Sequence, residues 1–114
     1  SIKIKAVSMA MELPEVNPEL LNQLSELLIE DESVGVRLAA LDGLYELQER
    51  EVLELTLMNA LRTEQKPIVQ IALIQALVEL QTEEAIPLFQ DLIEADSTFQ
   101  QVKDEAHIGT FKLI

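Results

Sequence analysis

The chain has 114 residues, 48% of them hydrophobic and 4% aromatic, with no Trp and no Cys; 21 Asp+Glu against 8 Lys+Arg give a net charge of −13. That length suits one domain burying roughly 65% of its unfolded surface, and three Gly with four Pro are too few for a strand-and-turn protein. Disulfides, zinc–thiolate centres and Cys nucleophiles are excluded, and the acidic balance opposes nucleic-acid and anionic-membrane binding, both of which draw on Lys and Arg, while favouring solubility and basic or mixed-charge partners.

No apolar run approaches the ~20 residues needed to span a bilayer. The absence of Cys fits a reducing compartment, so the expected location is cytoplasmic, including as the cytosolic part of a longer membrane-associated protein. The start at Ser1 with an apolar opening suggests a fragment of a longer chain.

Residues 1–13 open the chain ambiguously. Ile2 and Ile4 alternate with Lys3 and Lys5 like a short strand, yet Ile2-Lys3, Ala6-Val7 and Leu13 match Val36-Arg37, Ala40-Leu41 and Leu47 at an offset of 34. The match favours the second helix of a partial preceding repeat, ended by Pro14. Leu20, Leu21, Leu24, Leu27 and Leu28 then follow helical spacing. Asn17 suits the N-cap, Pro18 the first helical position and Glu19 the positive end of the dipole, so a helix should run from there to about Ile29. The acidic turn Glu30-Asp31-Glu32-Ser33 leads into a helix of about Val34 to Gln48, and capping that helix is the turn's expected duty. Val52, Leu53, Leu57, Met58 and Leu61 line a third helix. After the turn from Thr63 to Lys66, Pro67 opens a fourth that reaches about Leu80. Thr82 reads as an N-cap, with Glu83 and Glu84 in the first turn of a helix carrying Ile86, Leu88, Phe89, Leu92 and Ile93; Pro87 lies near enough to the start not to break it. A last helix follows Asp96-Ser97-Thr98 and ends at Leu113.

These elements repeat with a period of 33 residues. The segment from Val36 to Leu47 recurs from Val69 to Leu80, and more weakly as Val102-Lys103, Ala106, Gly109 and Leu113. Leu20, Leu53 and Ile86 share the period, as do Leu27, Ala60 and Ile93; Leu24 and Leu57 keep it, but Gln90 breaks it, which reads as a degenerate or terminal third pair. Gly43, Ala76 and Gly109 fall one period apart inside the second helices. Gly costs about 1 kcal/mol relative to Ala there, so this column suggests close helix approach. A fixed period of this size indicates stacked supersecondary units that bind macromolecules along an extended face. The pairs span 17–48, 50–81 and 82–114, all within one repeat domain of 1–114.

Two antiparallel helices per unit, with Asp31…Val36-Arg37…Ala39-Ala40…Leu44…Leu47 and its echoes, resemble HEAT repeats over about residues 17–113. Gln70 departs from the motif's basic residue and Thr110 from an apolar one. The resemblance implies an all-α, HEAT-like solenoid of about three antiparallel helix pairs plus a leading partial helix. It also implies a non-catalytic scaffold or regulatory module for protein–protein interaction. The arrangement is similar as well to HEAT-repeat portions of some bacterial membrane-associated regulatory proteins that carry an anti-sigma-type zinc finger, although no such finger is present. An accessory or enzymatic domain, such as a bilin lyase-type subunit, is the alternative. The repeated His-Glu pairs of HEAT-like diiron hydroxylases and the basic, aromatic-lined face of HEAT-like DNA glycosylases are absent.

No catalytic constellation is discernible, and neither a cofactor nor a metal is implied. His107, the only histidine, with Asp104 and Glu105 falls short of the four convergent ligands of a structural zinc site. The candidate functional feature is instead a stripe along the second helices, facing a protein or peptide partner. Leu38, Asp42 and Tyr45 share one side at i, i+4 and i+7; Ile71, Gln75 and Val78 follow one period later, then Asp104, Ile108 and Phe111. Such a mixed surface suits a helix or extended peptide, with Tyr45 and Phe111 as anchors; interhelical packing is the competing explanation for the same residues.

Overall fold

A computed structural model describes residues 2–11 and 17–114, and the side chains of 2–9 and 17–114. Among the described residues the regular structure is entirely helical: α1 (Ile2–Met11), α2 (Pro18–Glu30), α3 (Val34–Leu47), α4 (Arg50–Thr63), α5 (Pro67–Glu79), a 3₁₀ turn (Glu83–Ala85), α6 (Ile86–Glu94) and α7 (Gln100–Leu113). The opening segment is thus helix rather than strand; its expected end at Pro14 lies outside the described residues. The chain divides into two compact units, residues 1–53 and 54–114.

In the first unit α3 packs against α2 and α1. The start of α2 follows from its sequence: the Leu20 N–H donates to Asn17 Oδ1 at 2.7 Å, and Pro18 occupies the first turn. Leu24 and Leu28 point inward, 2% and 0% exposed, each contributing about 1.5–3 kcal/mol by leaving water. The acidic turn does cap. Asp31 Oδ2 accepts from the Ser33 N–H at 2.9 Å, and Ser33 Oγ accepts from the Val36 N–H at 3.3 Å. Asp31 also pairs with Lys3 of α1, which ties the leading helix to this turn. Val36, Ala40 and Leu44 form the buried stripe of α3, while Leu47 is half-buried.

In the second unit α7 packs against α6 and α5. Glu64 stands one period after Asp31 and acts alike, accepting from the N–H groups of Gln65 and Lys66 at 3.0 and 3.1 Å ahead of α5. Both motif departures are accommodated. Gln70 Nε2 donates to the Glu64 carbonyl at 2.9 Å, the counterpart of Arg37 Nη2 donating to the Ile29 carbonyl at 2.8 Å. Each closes the end of the helix before it with a side-chain donor. Thr110 turns its hydroxyl back to the Ala106 carbonyl at 2.8 Å, so its polar atom is satisfied inside its own helix.

The third helix pair corrects the reading of a fixed period. Ala85 and Phe89 are fully buried while Gln90 is exposed. Hence Leu53 and Leu57 correspond to Ala85 and Phe89, an offset of 32 rather than 33. The second helices hold 33 throughout, with Val36, Val69 and Val102 buried, and likewise Ala40, Leu73 and Ala106. Gln90 therefore marks a one-residue phase slip, not a degenerate pair. The lost residue comes from the connection between α5 and α6. There the N–H groups of Gln81 and Thr82 close onto the carbonyls of Val78 and Leu77 with Gln81 at φ 59°, a tight left-handed helix ending. The residue is regained between α6 and α7, where thirteen positions lead from Phe89 to Val102 and only twelve from Leu57 to Val69. Thr82 precedes the 3₁₀ turn as anticipated, but it is buried and its hydroxyl caps nothing; its backbone carbonyl accepts from the Ala85 N–H instead.

Candidate functional site

The glycine column explains how neighbouring second helices meet. A Cβ at Gly43 would lie 3.3 Å from Leu24 Cδ1 of α2 and 3.5 Å from Val7 Cγ1 of α1. At Gly109 it would lie 3.0 Å from both Phe89 Cε2 of α6 and Val78 Cγ2 of α5, and 3.3 Å from Ile74 Cγ2. Gly43 is thus the point where α3 touches both α2 and α1, and Gly109 the point where α7 touches both α6 and α5. The close approach read from the column is present in both units.

That packing decides where the stripe residues stand. On α3, Leu38 and Tyr45 are half-buried and Asp42 is exposed. On α5, Ile71 and Val78 are half-buried and Gln75 is exposed; Val78 also packs onto Gly109, so it serves interhelical contact as well as surface. On α7, Ile108 is 49% and Phe111 81% exposed. Gln75, Val78 and Ile108 come together in one open-sided depression of about 400 Å³ between α5 and α7. Glu79, Glu105 and Lys112 complete its polar wall, and Gln75 Nε2 donates across it to Glu105 Oε1 at 3.3 Å. Sequence spacing missed these three because the stripe was drawn along each helix separately; the signal lies in aligning α5 beside α7, which sets Gln75 opposite a residue three positions before Ile108. Ile71 and Phe111 do not line the depression, whereas Leu38, Asp42 and Tyr45 belong to the first unit.

His107 is exposed, and among the described residues no three His, Asp or Glu gather as a metal centre would require. Asp104 accepts from Gln100 Nε2 at 2.8 Å, one turn earlier on the same helix. Among the described residues, a clear electrostatic perturbation falls on Asp31. Its bond from Lys3 and the Ser33 N–H hold the carboxyl below the usual Asp range against the opposing effect of desolvation. Among the described residues no helix is long and apolar enough to cross a membrane.

No curated protein and no solved structure matches the chain significantly. A family model described as HEAT repeats matches residues 21–107, from α2 into α7. Paired helices, second helices in a strict 33-residue register and a small-residue contact column agree with that match. The chain belongs to the HEAT-repeat family, an all-α fold of the helical-repeat solenoid class.

Proposed function

We propose that this chain is a non-catalytic scaffold or regulatory module that binds a protein or peptide along its second helices. HEAT repeats generally mediate protein–protein interaction, and the observation that carries the reading is the depression between α5 and α7. It combines an apolar floor from Val78 and Ile108 with Gln75, Glu79, Glu105 and Lys112 around it. Apolar ground with convergent polar groups suits side chains of a docked segment, and a net charge of −13 selects a basic one. In the first unit, the half-buried Leu38 and Tyr45 with exposed Asp42 present a similar mixture on α3. We place the chain in the cytoplasm, free or as the cytosolic part of a longer membrane-associated protein.

The test starts from a partner recovered by affinity capture on the full chain and measures its affinity by titration calorimetry. Gln75→Ala and Ile71→Ala are expected to weaken binding about tenfold together, equivalent to about 1.4 kcal/mol. Gln75→Ala should leave unfolding stability within about 0.5 kcal/mol. Unchanged affinity in both variants overturns the assignment of the α5 stripe.

A further inference from the structure

The face of α7 turned away from its core carries a pattern that the depression accounts for only in part, through Ile108 and Lys112. Val102, Ala106, Gly109 and Leu113 are its buried stripe. Nearly opposite stand Asp104, Ile108 and Phe111, all exposed, with Lys112 at the edge of the same face. Within the described residues Lys112 forms no ion pair. Asp104 and Lys112 each lie four residues from Ile108, about 6 Å along the helix on either side of it. Acid, apolar centre and base are therefore evenly spaced.

We propose that this face binds a second copy of the chain, with two α7 helices packed antiparallel about a two-fold axis at Ile108. Such an axis sets Asp104 of one copy opposite Lys112 of the other, twice, and brings the two Ile108 side chains together beside Phe111. A two-fold interface requires a surface complementary to itself, and an acid and a base symmetric about an apolar residue meet that condition. Charge favours α7 for the same reason. It holds Lys103 and Lys112 against Asp104 and Glu105, a balanced helix in a chain of net charge −13, so pairing here adds less local repulsion than pairing on an acidic segment such as Glu30–Glu32 would. The assignment does not rest on the partner-binding reading, although the two share Ile108, Phe111 and Lys112. A partner seated there and a second copy would exclude one another.

Sedimentation equilibrium of the full chain, from about 10 μM to about 1 mM at about 0.15 M salt, tests the proposal. Dimerisation is expected once salt screens the repulsion between two acidic copies. Ile108→Glu sets like charges on the axis and should leave a monomer with the wild-type helical circular dichroism signal. Asp104→Lys and Lys112→Asp should each weaken the dimer about tenfold, and the double exchange should recover affinity to within about threefold. A chain that stays monomeric at 1 mM overturns the proposal, as does a dimer that survives Ile108→Glu. Independent, uncompensated effects at 104 and 112 overturn the antiparallel pairing. Because Gln75 and Ile71 lie outside the Asp104–Ile108–Lys112 set, failure here and failure of the partner-binding reading are read from different variants.

Discussion

Asp31 shows how much one residue of an acidic run can do. Glu30, Asp31 and Glu32 look interchangeable in sequence, yet Asp31 alone of them is buried, paired with Lys3 and bonded to the Ser33 N–H. Those contacts favour the carboxylate, so its folded pKa lies below the unfolded value near 3.9. The stabilisation is then fully present above that unfolded value and is lost as pH falls through the lower folded one. Asp31→Asn should accordingly lower stability at neutral pH and flatten its decline in acid below about pH 4; urea unfolding from pH 7 downward measures both. Parallel acid limbs in the two proteins would show that the Lys3 contact adds nothing. Glu64 matches Asp31 in burial and capping, so a capping carboxylate is a property of the turn rather than of one residue.

At the scale of the helices, the small-residue column sets how tightly neighbours pack, and its members are not equivalent. An added Cβ at Gly43 meets the flexible tips of Leu24, whereas at Gly109 it meets the Phe89 ring and a Val78 methyl at 3.0 Å. A ring and a β-branched methyl cannot swing aside cheaply. Gly43→Ala should stay within about 1 kcal/mol of neutral because helix propensity offsets the contact, while Gly109→Ala should cost about 1–3 kcal/mol. Gly43→Leu places a whole isobutyl group between α1, α2 and α3 and should lower the melting temperature markedly. Equal costs for the two alanine variants in denaturant titrations would contradict this ranking. The same column was legible before any coordinates, as were the Asn17 cap, the acidic capping turn and the second-helix core, since all depend on local chemistry or on a strict period. The phase of α6 was not. Reading by a constant offset aligned Ile86 with Leu53, and only burial identifies Ala85 and Phe89 as the inward residues. Glu105 and Lys112 were likewise missed because their part in the depression depends on how far side chains reach across two packed helices.

For the molecule as a whole, charge governs what can approach. A net charge of −13 raises the local concentration of cationic partners and is screened by salt. The association rate of a basic partner should fall about tenfold or more between about 0.02 and 0.5 M NaCl in stopped-flow measurements, with dissociation much less affected; a salt-independent rate would mean that the acidic surface takes no part in recognition. Repetition imposes a second constraint, visible in the steps between buried positions on either side of α6: eight from Leu77 to Ala85 against nine from Leu44 to Leu53, then thirteen from Phe89 to Val102 against twelve from Leu57 to Val69. Each residue added or removed turns the following helix by about 100° about its axis, so a helix's phase behaves like a reading frame. The tight ending at Gln81 advances that frame by one residue, and the turn between α6 and α7 sets it back before α7 begins. Loop lengths in this chain are therefore not free to vary one at a time: a residue lost before α6 leaves α7 in register only when one is regained after it, and α6 keeps a buried face only because its inward residues moved with the frame to Ala85 and Phe89.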